Sequence, residues 1–171
     1  MSAASPDLIL LKGAPGVGKS AAAKSLARHF PSGVRIEVDD LRTMVNGVKW
    51  TDQSEHRSVL TLGAQLAAGF LRSGFAPVIL VDTFSGDKVD GFLNAFRADY
   101  PHGRVCVNVL HASDDVLRDR VLNREADGFR DLAVSTRINR EAVRDAKSFE
   151  KLIDTSGLSP TEVAEAILAG M

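Results

Sequence analysis

Short, unbroken apolar runs alternate along this chain with longer stretches in which apolar residues return every three or four positions. The first run, Leu8-Ile9-Leu10-Leu11, is apolar throughout, as expected of a strand covered on both faces. A helical pattern follows from about Lys19 to His29 and stops at the breaker cluster Phe30-Pro31-Ser32-Gly33. Val34-Arg35-Ile36-Glu37-Val38 alternates strictly, which predicts a strand with one wetter face at a sheet edge. Asp39-Asp40-Leu41-Arg42 then opens a short helix reaching about Asn46-Gly47.

A longer helix is expected from Asp52 to Ser73, with Val59, Leu62, Leu66 and Phe70 sharing its core face. Val78-Ile79-Leu80-Val81 is the second fully apolar strand and ends at Asp82. A helix over Lys88 to Tyr100 stacks Phe92, Phe96 and Tyr100, and Pro101-His102-Gly103 breaks it before a fourth strand, Val105 to Leu110. Ser113-Asp114-Asp115 caps a helix running to about Arg124, with acid in its first turn. After Ala126-Asp127-Gly128 a further helix covers about Ala133 to Ser148, and Lys151 to Asp154 is a short last strand. Ser159-Pro160-Thr161-Glu162 is a capping box with proline at the first helical position, and the final helix ends near Ala169-Gly170. The alternation of strands and helices predicts an α/β fold, one five-stranded parallel sheet with helices on both faces. Ligands of such sheets bind at the carboxyl ends of the strands. The loop after Leu11, Asp39, Asp82 and the segment after Leu110 all fall there.

Composition narrows the partners. The 171 residues suit one domain, and a formal net charge of −1 provides no global basic field to attract long nucleic acid or an anionic membrane. No run approaches the length of a membrane-spanning helix, and no charged segment leads into an apolar one at the N-terminus, so a cytoplasmic location is expected. The single Cys106 lies in an apolar run and reads as a buried, inert thiol.

The most informative stretch is Gly13-Ala14-Pro15-Gly16-Val17-Gly18-Lys19-Ser20, with Ala21 following. It reads G-x-x-x-x-G-K-S between a strand and a helix, the context that gives this motif meaning. Its glycines admit positive φ, and its successive N–H groups form an anion nest at the positive end of a helix dipole. Lys19 would reach the β- and γ-phosphates of a nucleotide, and Ser20 would ligate Mg²⁺.

Other residues on the same edge extend that chemistry. One of Asp39 and Asp40 can act as general base toward a hydroxyl, the other serving as a helix N-cap. Arg42, one turn on, is either an anion clamp or a solvated charge. Asp82, at the end of a buried strand, is expected to hold Mg²⁺ directly or through water. Trp50 and Phe84 are candidates for an acceptor pocket or for packing. His29, His56, His102 and His111 have no metal-ligand spacing and read as solvated or structural. Arginines crowd the region from Arg118 to Arg144 and are interspersed with acids, as on solvated helical faces. Arg120 and Arg124 nevertheless share one face beside Gly128, which suggests a small lid over residues 124–137 that closes arginines over a triphosphate.

The chain resembles the small P-loop kinases: polynucleotide-kinase-like, chloramphenicol phosphotransferase-like and zeta-toxin-like proteins, with gluconate and shikimate kinases. The resemblance covers nearly the whole chain. Asp39-Asp40-Leu41-Arg42 is similar to the D-D-x-R of polynucleotide-kinase-like domains, which implies a general base at Asp39 and a substrate-phosphate contact at Arg42. Val81-Asp82-Thr83 resembles their D-T after the third strand. Arg120 and Arg124 resemble their lid pair, implying adenine stacking and γ-phosphate contact respectively. Asp154-Thr155-Ser156-Gly157 resembles the loop near the adenine. Phe84 stands where polynucleotide kinases often carry a polar residue. The expectation is an ATP- and Mg²⁺-dependent kinase acting on a hydroxyl of a small molecule: an antibiotic, sugar, nucleoside or nucleotide-sugar. Asp40, Asp82 and Phe84 then join Arg42 around that acceptor. The alternatives are a polynucleotide 5′-hydroxyl kinase and a non-catalytic nucleotide-binding module. A GTPase is disfavoured because no N-K-x-D follows a strand. A large remodelling ATPase is disfavoured by length and by the lack of an acidic pair at Asp82-Thr83.

Overall fold

The computed structural model describes residues 5–123 and 129–171. In chain order the elements are β1 (Leu8–Lys12), α1 (Lys19–Ala27), β2 (Val34–Glu37), α2 (Val38–Thr43), α3 (Gln53–Arg72), β3 (Val78–Asp82), α4 (Lys88–Asp99), β4 (Val105–His111), α5 (Asp114–Leu122), α6 (Leu132–Arg144), β5 (Glu150–Asp154) and α7 (Pro160–Leu168). The strands form one parallel sheet in the order β2-β3-β1-β4-β5. β1 and β3, apolar but for the Lys12 and Asp82 that end them, lie inside it and are buried at every position, whereas the alternating β2 forms an edge.

The pleat of β1 divides the core in two. Leu8 and Leu10 pack with Leu80, Phe92, Phe96 and the alanines of α3 on one side of the sheet. Ile9 and Leu11 pack with Ile79, Leu26 of α1, and Val163 and Ile167 of α7 on the other. Each fully buried leucine or isoleucine contributes about 1.5–3 kcal/mol. The parallel register sets Lys12, just before the glycine loop, beside Asp82. This is why two chemistry-bearing segments 70 residues apart share one edge of the sheet.

Two expectations about burial change. The core face of α3 is His56, Val59, Leu60, Gly63, Ala64, Ala67, Ala68 and Leu71, while Leu62 and Leu66 point outward, 60% and 39% exposed. The helix turns its small residues inward because they allow close approach: a methyl at Gly63 would lie in ordinary contact with Leu41 and Leu80. Cys106 is half-buried rather than buried, as is Val105 beside it; β4 becomes fully covered only from Val107. The expected caps form: Ser113 accepts from the Val116 amide, and Ser159 and Glu162 make the reciprocal capping box of α7. α6 stops at Arg144, short of Ser148, and the chain turns into β5 through a Glu150 to Lys147 backbone hydrogen bond. No described helix is long and apolar enough to cross a membrane.

Candidate active site

The glycine loop joins β1 to α1 at the carboxyl edge of the sheet. Gly13 sits so close to β4 that a Cβ there would stand 2.3 Å from the Leu110 carbonyl oxygen. Gly18 caps α1 at φ 97°, a left-handed conformation that side chains rarely adopt, with Lys19 and Ser20 opening the helix behind it. Ala14 and Val17 are buried, Pro15 and Gly16 half-buried, and Ala21 exposed. Lys19 Nζ donates to the Ala14 carbonyl at 2.9 Å, so its ammonium is folded back over the loop. Ser20 donates its hydroxyl to Glu37 Oε2 at 3.0 Å, and Glu37 also pairs with Arg35 at 2.5 Å.

Asp82 is 5% exposed, and both its oxygens are engaged. His56 Nε2 lies 2.9 Å from Oδ1, and the Phe84 amide donates to Oδ2 at 2.7 Å. Phe84 itself has φ 49° and no exposed surface; its ring meets Phe92 edge-on. Of the two readings offered for it, the ring takes the packing one, because the turn that brings its amide to Asp82 sends the side chain inward, while the residue also borders a small cleft with Thr83 and Ser85.

The structure separates the two neighbouring aspartates. Asp39 shares its surroundings with Asp82, Lys19, Arg42 and His56. Asp39 is exposed to solvent on one side, yet the protein packed around it partly desolvates the carboxyl, and this, reinforced by the negative charge of Asp82, raises its pKa above the ordinary aspartate value; Lys19, Arg42 and His56 pull it back. Asp40 is exposed on α2, and its carbonyl accepts from the Thr43 hydroxyl. Arg42 is not a solvated charge: it is 4% exposed, lies 3.5 Å from Glu55, donates to the Lys49 carbonyl and stacks 4.6 Å below the half-exposed ring of Trp50. Among the described residues its Nε has no hydrogen-bond partner.

Arg120 reaches across to the loop after β5. Its Nη1 donates to Thr155 Oγ1 at 2.9 Å and to the Val17 carbonyl at 3.3 Å, and its Nη2 donates to the Thr155 carbonyl at 2.8 Å. The Thr155 hydroxyl in turn lies 2.9 Å from the Val17 carbonyl. Arg120 and Thr155 therefore brace the glycine loop from outside. Ser156 bonds Asp154 and accepts from the Ser113 amide, and its hydroxyl holds the Asp154 carboxyl below its usual range. Arg124 and Gly128 lie outside the described residues. Arg137, Arg140 and Arg144 pair on the surface with Glu141, Asp114 and Asp145.

Three functional candidates escaped the sequence. His56 carried a faint signal, since it continues the stripe of Val59, Leu60 and Gly63. Glu37 carried one too, as a carboxylate ending an edge strand. Lys88, buried at the start of α4, carried none.

A family model described as AAA domain matches residues 8–152. No curated protein matches the chain in sequence. Solved structures do resemble it in fold. The tunicamycin resistance protein of Deinococcus radiodurans superposes with a TM-score of 0.72 at 23% identity, covering 97% of this chain and 95% of that one. A gluconokinase of Sinorhizobium meliloti gives 0.68 at 21% identity, covering 96% and 91%. A sugar kinase of Janibacter sp. gives 0.68 at 18% identity, covering 96% and 94%. With the glycine loop, the sheet order and a family match over most of its length, this chain belongs to the AAA-domain family of P-loop proteins and shares its fold with small kinases.

Proposed function

We propose that this protein is an ATP- and Mg²⁺-dependent phosphotransferase that moves the γ-phosphoryl group to a hydroxyl of a small molecule. The observation that carries this reading is Asp39, a carboxyl of raised proton affinity set among Lys19, Asp82, His56 and Arg42 at the mouth of the glycine loop. A nucleotide sensor needs the loop but has no use for a base beside it.

The residues fit a hard divalent cation. Mg²⁺ takes one or two protein oxygens and completes its shell with water and phosphate. Among the described residues no three His, Cys, Asp or Glu side chains cluster as a metal site. The Ser20 hydroxyl, already oriented by Glu37, would supply one oxygen, and Asp82, its lone pairs partly used by His56 and Phe84, would hold the ion through water. When bound, the ion neutralises charge on the β- and γ-phosphates.

The chain's own groups do the rest. The loop amides and Lys19 bind the phosphates, the ammonium exchanging the Ala14 carbonyl for phosphate oxygens. Asp39 takes the acceptor's hydroxyl proton as the new oxygen–phosphorus bond forms and the bond to the bridging oxygen breaks, releasing ADP. The resemblance assigns Thr155, Ser156 and Arg120 to the adenine and Arg124 to the γ-phosphate in the transition state. The test is acceptor-stimulated ADP release across nucleosides, sugars, aminoglycosides and phenicols. We expect release with at least one class and its loss in Asp39→Asn; release that survives unchanged in both Asp39→Asn and Asp40→Asn, or no release with any class, overturns the reading.

A further inference from the structure

Lys88 begins α4 and is 5% exposed. Its ammonium donates to Gln53 Oε1 at 2.7 Å and to Ser85 Oγ at 2.9 Å, both neutral partners. The charges around it are matched elsewhere: Arg42 with Glu55, Arg57 with Asp87 at 2.6 Å, and Asp82 with His56 and the Phe84 amide. Among the described residues no carboxylate pairs with Lys88 within ion-pair distance, and two of its three donors are used. Folding thus buries a cation and leaves its counter-charge to come from elsewhere.

Two further features point the same way. Gln53 is the first residue of α3 and Lys88 the first of α4, so their hydrogen bond brings together the positive ends of a 20-residue and a 12-residue helix. Asp87, the cap residue of α4, makes no side-chain cap, its carboxylate being turned to Arg57. Ser85 also lines a small cleft of about 80 Å³, whose charged lining is Lys12, Lys147, Glu141 and Asp145, the two carboxylates paired with Arg137 and Arg144. Lys12 and Lys147 are already neutralised there by Glu150 and Asp90.

We propose that Lys88 binds an oxyanion, a carboxylate or phosphate group carried by the acceptor, and so selects anionic over neutral or cationic acceptors. This rests on the phosphotransferase reading. The site favours such a group because the lysine is electrostatically strained without it. Burial holds the Lys88 ammonium below the ordinary lysine range; Asp82 and Asp87 oppose this, while Arg57 and Arg42 add to it. An oxyanion accepting the free N–H supplies the missing counter-charge.

Binding is measured calorimetrically with the glycine loop saturated by a non-hydrolysable ATP analogue and Mg²⁺, so that phosphates cannot report on that loop. The probes are sugar acids with their parent sugars, sugar phosphates and nucleoside monophosphates with theirs, and a cationic aminoglycoside. We expect at least one anionic member to bind tenfold or more tightly than its neutral parent; the sugar-acid and phosphate arms tell which oxyanion is taken. Lys88→Met should abolish that preference while melting at or above the wild-type temperature, since removing a buried unpaired charge relieves strain. Lys88→Arg, which keeps the charge, should retain part of it. Equal binding of neutral parents, a preference that survives in Lys88→Met, or no binding by any probe overturns the inference. Turnover of neutral acceptors alone would also overturn it and leave the phosphotransferase reading standing. Anion binding at Lys88 without any ADP release would do the reverse.

Discussion

His56 Nε2 lies 2.9 Å from Asp82 Oδ1, joining the first turn of α3 to the end of β3. Both side chains are buried, so the pair orients Asp82 and satisfies one of its oxygens away from water. His56→Ala leaves that oxygen without a partner. We expect a loss of about 1–3 kcal/mol of stability, read as a lower denaturation midpoint. An unchanged midpoint would show that water replaces the imidazole at no cost.

Asp39→Asn keeps the shape of the side chain and removes the base. The turnover rate should fall by about 10²–10⁴ while ATP affinity holds. Asp40→Asn should behave like wild type, because Asp40 is not among the charged groups gathered around Asp39. The reverse ranking in steady-state kinetics would move the base to Asp40.

The raised pKa of Asp39 has a signed consequence. A base must be deprotonated to act, so kcat/KM should climb with rising pH through a limb placed above the ordinary aspartate value. Asp82→Asn removes the charge that helps raise it, so the limb should move to lower pH. The same shift affects stability with the opposite sense: a carboxyl that is protonated more readily when folded makes stability fall as pH rises through that window. A limb that stays in place in Asp82→Asn would separate the two carboxylates electrostatically.

Gly13→Ala puts a methyl 2.3 Å from a backbone oxygen of β4, and neither backbone can yield cheaply. The loop should distort, costing about 1–3 kcal/mol and most of the ATP affinity. Lys19→Ala, which removes the phosphate-binding cation together with its hydrogen bond to the Ala14 carbonyl, should lower ATP affinity or turnover at least tenfold with little change in melting temperature. If calorimetry finds ATP binding intact in both variants, the loop is not the nucleotide site.

Arg120 holds Thr155 and the Val17 carbonyl, so Arg120→Ala should loosen the glycine loop and raise the KM for ATP. Arg124→Ala should instead lower kcat by about 10² if that side chain meets transition-state charge. Arg140, paired with Asp114 on the surface, is the control and should change neither. Identical kinetics for Arg124→Ala and Arg140→Ala would remove Arg124 from the reaction.

The architecture of this protein was legible in its sequence because its signals are local. Unbroken apolar runs at Leu8–Leu11 and Val78–Val81 can be covered only by placing them inside a sheet, and Ser113 and Ser159 announce helices through hydrogen bonds a few residues long. The glycine loop was legible for the same reason, since all its parts lie within eight residues. What the tertiary structure decided depends on partners distant in the chain. Leucines at 62 and 66 have the right period for a core but were displaced by alanines and a glycine, because close packing on the sheet outweighs side-chain size. Phe84 went to the core because its amide was needed by Asp82. His56 became a partner of Asp82 across 26 residues, and Lys88 met Gln53 across 35. Such pairings carry no spacing rule, for they are set by strand register and helix docking, and these exist only once the whole sheet has closed.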